Sequence, residues 1–148
     1  DSNAKDAAGQ SLAACDVRQV ATFLEEDARW TGSQKTILTF LDIGPELIYR
    51  TRHAVIGTPY HRNGDGIYDS HRIMTGTDLA DSRRLIAERG IELILLCHGP
   101  AEEAFYASDN DAPSLYGQLS QGQTPTWINE INLPEPLQGQ ARIFAVKG

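Results

Sequence analysis

Hydrophobic residues recur along the chain with two different periods, which predict helices and short strands. After Asp16, which with Gln19 resembles a capping box, apolar residues follow at helical spacing: Val17, Val20, Phe23, Leu24 and Ala28. Three later apolar runs, at 35–40, 53–57 and 91–97, are short and rich in β-branched residues. Runs of this length and composition are typical of buried strands.

Helical patterns separate and follow these strands. Glycine or proline marks several of their ends, and Gly90 is a natural C-terminal stop for one of them. The predicted helices cover approximately 45–49, 66–74, 79–89, 102–107 and 114–120. Two final strands, at 126–133 and 141–146, predict a hairpin across 134–140. The alternation predicts an α/β fold: a three-layer, Rossmann-like sandwich whose central sheet is mostly parallel, with a C-terminal antiparallel hairpin.

Length and composition fit one soluble domain over residues 11–148. The first ten residues are small and polar, so we expect them to be disordered, and Ser2-Asn3-Ala4 looks like an expression-vector remnant. We therefore expect the chain to be a piece of a larger protein. A formal charge of −7, without a stripe of basic residues, argues against a nucleic-acid partner.

The most informative polar stretch follows the second predicted strand. Tyr60, His61, Arg62 and Asn63 place a phenol, an imidazole, a guanidinium and a carboxamide on consecutive residues. Ligands of open α/β sheets bind at the carboxyl ends of the strands, and arginine suits phosphate or carboxylate groups. The alternative is a structured turn in which these side chains bind backbone carbonyls.

Asp42 follows the first predicted strand and provides a carboxylate near the same place. It either contacts a hydroxylated or anionic ligand or caps the helix that begins near Pro45. Together with His53, Asp42 completes the predicted ligand-binding set of Asp42, His53, Tyr60, His61, Arg62 and Asn63. This set predicts a crevice shared by neighbouring strand ends.

The sequence assigns no catalytic residue, metal or cofactor. No G-x-G-x-x-G follows a strand, so nucleotide binding is not expected. A zinc site from His61, Asp69 and His71 is disfavoured because Asp69 and His71, two residues apart on a helix, do not share a face. Nucleophilic catalysis is also disfavoured, since there is no G-x-S-x-G motif.

Several motifs carry a family resemblance across most of 36–146. They are Asp42-Ile43-Gly44-Pro45, Thr51-Arg52-His53, Thr58-Pro59-Tyr60-His61-Arg62-Asn63, Leu95-Leu96-Cys97 and the stretch from Ser114-Leu115-Tyr116 through Gly122-Gln123-Thr124-Pro125-Thr126-Trp127. In these the chain resembles the soluble C-terminal region of bacterial polytopic membrane proteins. Those proteins are similar to lipid-linked-sugar glycosyltransferases of the dolichyl-phosphate-mannose mannosyltransferase type.

The resemblance implies an extracytoplasmic, periplasmic domain attached to a membrane-embedded part of the same polypeptide. A lipid-phosphate sugar or a glycan is the implied ligand, and the chemistry would belong to the membrane part. In an extracytoplasmic setting, Cys15 and Cys97 either form a disulfide or remain two buried thiols, and the sequence does not favour one over the other.

Three hypotheses follow. The chain is a ligand-contact domain of a membrane glycosyltransferase-like protein, a free-standing α/β hydrolase that uses His61 or His98 with Asp42, or a purely structural domain. The first is preferred because the family motifs coincide with the polar loop after the second strand.

Overall fold

A computed structural model describes residues 15–30, 32–56, 64–107 and 113–147. The predicted disordered segment 1–10 and the polar loop 57–63 lie outside the described residues. The helices are α1 (Val17–Glu26), α2 (Gly44–Arg50), α3 (Gly64–Thr75), α4 (Leu79–Arg89), α5 (Pro100–Phe105) and α6 (Leu115–Ser120). The strands are β1 (Thr36–Leu38), β2 (Ala54–Ile56), β3 (Leu93–Cys97), β4 (Ile128–Glu130) and β5 (Ala141–Val146), and a 3₁₀ turn, Glu135–Leu137, precedes β5.

The strands form one sheet in the order β2-β1-β3-β5-β4. β1 pairs in parallel with β2 and with β3, whereas β5 pairs antiparallel with β3 and with β4. The α/β class and the C-terminal hairpin are therefore confirmed. The mostly parallel, Rossmann-like arrangement is not confirmed. Two of the four strand pairings are parallel and two are antiparallel, because β5 lies between β3 and β4 and runs opposite to both.

Helices cover both faces of the sheet. Successive residues of a strand point to opposite faces of the sheet, and every residue of β3 is buried, so both faces are covered at this strand. Leu93, Leu95 and Cys97 pack with α1 and α2, while Ile94 and Leu96 pack with α3, α4 and α6. This two-sided burial explains why the Leu93–Cys97 segment reads as a continuous apolar run in the sequence.

Local chemistry fixes where α1 and α4 begin and where α4 ends. The Asp16 carboxylate accepts from the backbone N–H groups of Arg18 and Gln19, and Asp78 accepts from those of Ala80 and Asp81. Gly90 ends α4 with φ 64°, a left-handed conformation that favours glycine. No helix in the described part of the chain is long and apolar enough to cross a membrane.

The chain just before helix α1 is attached to the sheet by a covalent bond. A disulfide joins Cys15, just before α1, to Cys97, the last residue of β3. The two cysteines are 82 residues apart in sequence, and their Cα atoms are 5.3 Å apart. The chain therefore enters the fold beside the carboxyl end of β3.

Candidate functional site

The parallel strands β1, β2 and β3 end on the same side of the sheet, which we call the carboxyl end of the sheet. Residues 39–43 leave β1 here, residues 57–63 leave β2, and residues 98–99 leave β3. Ligand sites of α/β sheets form at such ends because loops of different strands converge there. The predicted crevice was based on this arrangement, and three loops do begin at this end.

Asp42 lies at the carboxyl end of the sheet and is exposed. It does not cap α2, since the residue before that helix is Ile43 and no side chain caps the helix. Within the described residues its carboxylate makes no hydrogen bond or ion pair. The structure thus corrects the expectation that Asp42 caps a helix.

Tyr60, His61, Arg62 and Asn63 lie outside the described residues, in the segment that joins Ile56 at the end of β2 to Gly64 at the start of α3. Their assignment as ligand contacts remains a prediction. The segment follows Ile56, which ends β2 at the carboxyl end of the sheet.

His53 lies at the opposite, amino end of the sheet. It precedes β2, is 3% exposed, and both of its ring nitrogens bind backbone groups. The N–H of Lys35 donates to Nδ1 at 2.9 Å, so the proton is on Nε2, which donates to the carbonyl of Leu24 at 3.1 Å. This placement corrects the grouping of His53 with Asp42 and gives the imidazole a structural role.

The two residues before His53, Thr51 and Arg52, also have their side chains engaged in hydrogen bonds. The Arg52 guanidinium donates to the carbonyls of Trp30 and Glu25 and pairs with the Glu25 carboxylate at 3.3 Å. The Arg52 backbone N–H donates to the same carboxylate at 2.6 Å and, with the guanidinium, lowers the pKa of Glu25. Thr51 donates its hydroxyl to the carbonyl of Leu47 and accepts the N–H of His53. This turn therefore fastens the end of α1 to the sheet.

A buried carboxyl group lies at the carboxyl end of the sheet. Glu102, in the first turn of α5, is 1% exposed. Its Oε1 accepts the backbone N–H of Cys97 at 3.1 Å, and its Oε2 accepts from the Tyr116 hydroxyl at 3.5 Å. Burial raises the pKa of Glu102 to about 8. The Glu102 carboxyl is therefore mainly protonated at neutral pH and becomes charged when the pH rises above about 8.

Aromatic rings surround this carboxyl group. The Tyr106 and Tyr116 rings are 4.8 Å apart, and Tyr106 hydrogen bonds with the buried Ser70 of α3. Burial raises the pKa of both tyrosines, so both phenols stay neutral. Phe40, which follows β1, packs against Tyr106 at 6.2 Å. The cluster joins α3, α5, α6 and the end of β1.

His71 and Phe105 extend the cluster toward its surface. The two rings meet edge to face at 5.0 Å, and His71 Nε2 contacts the Phe105 carbonyl at 3.1 Å. Asp69, the other described member of the disfavoured zinc set, pairs with Arg89 at 2.9 Å. No group of three metal-binding side chains occurs within the described ranges.

Sequence reasoning did not identify Glu102. The sequence signal that could have identified it is its position. Glu102 is the third residue of a helix that starts with Pro100, shortly after the most apolar strand. A glutamate there is usually an exposed first-turn acid. Here its side chain points inward, where it accepts from the N–H of Cys97 and from the hydroxyl of Tyr116 in α6. These contacts are made in the tertiary structure and cannot be recognised from local spacing.

Comparison with known proteins gives a match of fold. The sequence matches no protein-family model and no curated protein. The crystal structure of the C-terminal globular domain of oligosaccharyltransferase from Archaeoglobus fulgidus aligns with a TM-score of 0.62 and 12% identity, covering 88% of this chain and 95% of that chain. A second crystal structure of such a domain from the same organism aligns with a TM-score of 0.49 and 14% identity, over 89% of this chain and 93% of that one.

The first alignment covers almost the whole of both chains, so this chain has the fold of that globular domain. The compared domain belongs to an oligosaccharyltransferase, whereas the resemblance found in the sequence was to glycosyltransferases of the mannosyltransferase type.

Proposed function

We propose that this chain is the extracytoplasmic C-terminal domain of a membrane-embedded, oligosaccharyltransferase-like glycosyltransferase. In this role it positions a lipid-linked sugar or its acceptor and leaves the transfer chemistry to the membrane part. The observation that carries the proposal is the fold shared with the C-terminal globular domain of an archaeal oligosaccharyltransferase over nearly the full length of both chains.

The carboxyl end of the sheet is the side that faces the membrane part. The described chain enters the fold at Cys15, which is bonded to Cys97 at the end of β3. In this proposal the membrane part lies toward this end of the sheet. A ligand held between the two parts would then be near Asp42 and the residues that follow β2 in the sequence.

The side chains at this end suit a sugar phosphate. Arg62 is the partner for the phosphate, and Tyr60, His61 and Asn63 provide donors and acceptors for hydroxyl groups. Asp42, exposed and unoccupied by any described residue, accepts from sugar hydroxyls. The neutral Glu102 carboxyl and the packed rings of Tyr106 and Tyr116 form a buried, uncharged cluster at the same end of the sheet.

Glycosyl transfer by the full-length protein tests this role. We expect the double substitution His61→Ala, Arg62→Ala to reduce transfer by about tenfold or more, since a charge-assisted hydrogen bond contributes about 1.5–3 kcal/mol. Arg50→Ala is the matched control, because Arg50 is a partly exposed arginine of α2 that pairs only with Glu46 among the described residues. Unchanged transfer and unchanged acceptor affinity in the double variant would contradict the ligand-contact role.

The complete reading frame tests the membrane setting separately. We expect several apolar segments of about 20 residues before this domain. A frame that starts near Ala7 would instead support a free-standing soluble enzyme.

A further inference from the structure

A groove with a volume of about 490 Å³ opens at the amino end of the sheet, on the opposite side from the proposed ligand loops. α4 forms one wall, and the starts of β1 and β3 with the end of β5 form the other. The side chains that define its chemistry are Trp30, Lys35, Arg83, Glu92, Trp127 and Lys147. Small-molecule sites generally have volumes of roughly 300–1,000 Å³.

The groove is positively charged in an otherwise acidic protein. Three cationic side chains and one carboxylate line it, whereas the whole chain carries a formal charge of −7. Lys35 and Glu92 neutralise each other across 3.3 Å. Arg83 and Lys147 have no ion-pair partner among the described residues. These two cations are available to an anionic ligand.

The walls suit a ring that carries hydroxyl groups. The Arg83 guanidinium lies 5.6 Å from the centre of the Trp127 ring, which holds the cation at the rim. Ala87 and Ala145 provide apolar contact area between the charges. The Glu92 carboxylate, which already accepts the N–H of Thr36, can accept further hydrogen bonds from hydroxyl groups but would repel a second anion.

We propose that this groove binds an acidic sugar, a pyranose ring bearing one carboxylate. Arg83 and Lys147 would bind the carboxylate, and Glu92 and Lys35 the ring hydroxyls. The Trp127 ring is 8% exposed and partly covered by Arg83, so only its exposed edge would contact an apolar part of the sugar. The site is separate from the loops at the carboxyl end of the sheet and does not depend on the function proposed for them.

Tryptophan fluorescence gives a direct test with this chain. The sequence contains two tryptophans, and both line the groove. We expect glucuronate to change the fluorescence saturably and methyl glucoside, which lacks the carboxylate, to have little effect. Benzoate, which carries a carboxylate but no hydroxyls, should bind at least several-fold more weakly than glucuronate. The apparent affinity for glucuronate should also fall with added salt.

Substitutions locate the response. Arg83→Gln and Lys147→Gln should each weaken glucuronate binding by about tenfold, as expected for loss of a charge-assisted hydrogen bond. Arg50→Gln, which removes the same charge on the opposite face of the sheet, should bind as the parent does. Because Arg83→Gln also alters the surroundings of Trp127, shifts of the Gly90 and Glu92 amide resonances provide a second readout.

Three outcomes would overturn the proposal. They are no saturable response to glucuronate at tens of millimolar, equal binding of glucuronate and benzoate, or equal weakening by Arg50→Gln and Arg83→Gln. The first outcome would show that no glucuronate site exists. The second would show that the sugar hydroxyls are not recognised, and the third that the site does not lie in the groove.

Discussion

The two ends of α1 are attached to the sheet by different chemistry. At the amino end of the sheet, Arg52 donates to Glu25, and His53 donates through Nε2 to the Leu24 carbonyl while its Nδ1 accepts the N–H of Lys35. At the carboxyl end, a disulfide holds Cys15. The first attachment uses polar side chains that are then fully hydrogen-bonded, whereas the second uses a covalent bond and needs no polar side chain.

This difference divides the motif at 51–63 into two parts. β2 crosses the sheet between Ala54 and Ile56, so residues before it and after it lie on opposite sides. Thr51, Arg52 and His53 precede β2 and hold the fold together. Residues 60–63 follow β2 in the sequence, and their role as ligand contacts remains a prediction. We therefore expect polar residues before and after this strand to have different roles, although they are close in sequence.

Removing the covalent attachment should have the largest effect. Replacing Cys15 and Cys97 together by alanine should lower the free energy of unfolding by about 4 kcal/mol, because the disulfide closes a loop of 82 residues in the unfolded chain. Urea denaturation of the parent and the variant measures the difference. A loss below about 1 kcal/mol, or equal sensitivity of both proteins to a reducing agent, would show that the disulfide does not hold α1.

Breaking the opposite attachment should be nearly as costly. His53→Ala leaves the Lys35 N–H and the Leu24 carbonyl without partners and should lower the free energy of unfolding by about 3 kcal/mol. The control is His71→Ala, which removes an exposed ring with one backbone contact and should cost less than about 1 kcal/mol. Equal losses would argue against a structural role specific to His53.

The buried carboxyl at the carboxyl end of the sheet makes stability depend on pH. Between the ordinary pKa of 4.5 and the raised pKa of about 8, folded Glu102 keeps a proton that the unfolded chain releases, so stability falls as pH rises. Glu102→Gln removes this dependence. Its stability relative to the parent should increase by about 2 kcal/mol between pH 5 and pH 7, since each pH unit contributes at most about 1.4 kcal/mol.

Urea denaturation at several pH values gives this difference directly. Tyr106, Tyr116 and Glu103 also act on Glu102, and they are unchanged in the variant. Parallel curves for parent and variant would mean that folding does not raise the pKa of Glu102.

Asp42 should have the smallest effect on stability. Its carboxylate is exposed and caps no helix, so Asp42→Asn should change the free energy of unfolding by less than about 0.5 kcal/mol. The same variant should weaken sugar transfer in the full-length protein if Asp42 contacts the ligand. A large loss of stability would instead show that the carboxylate serves the fold.

The order of elements could be predicted from the sequence because each has strong local determinants. Asp16 and Asp78 begin helices, Gly90 ends one, and the all-apolar β3 is a central strand. The position of β5 could not be predicted, since hairpin patterning does not specify which strand the returning segment pairs with. Its pairing with β3 buries Ile143 and Phe144 on opposite faces of the sheet.

The candidate site was less predictable for a related reason. His53 and Asp42 both border short strands, but one precedes its strand and the other follows, and parallel pairing sends them to opposite ends. No sequence pattern indicated that Glu102 is buried, because its side chain is held inward by tertiary contacts with Cys97 and Tyr116.

Two arginines ten residues apart test the central claim most directly. Arg52→Gln and Arg62→Gln remove the same charge from one motif, but Arg52 precedes β2 and Arg62 follows it. Unfolding free energy and glycosyl transfer per folded molecule would be measured for both variants of the full-length protein.

We predict that Arg52→Gln lowers stability by about 1–2 kcal/mol and leaves transfer unchanged, because its bonds to Glu25 and Trp30 are structural. We predict that Arg62→Gln leaves stability unchanged and lowers transfer. The reverse pattern, or the same loss of stability with intact transfer for both, would contradict the division of the motif between fold and function.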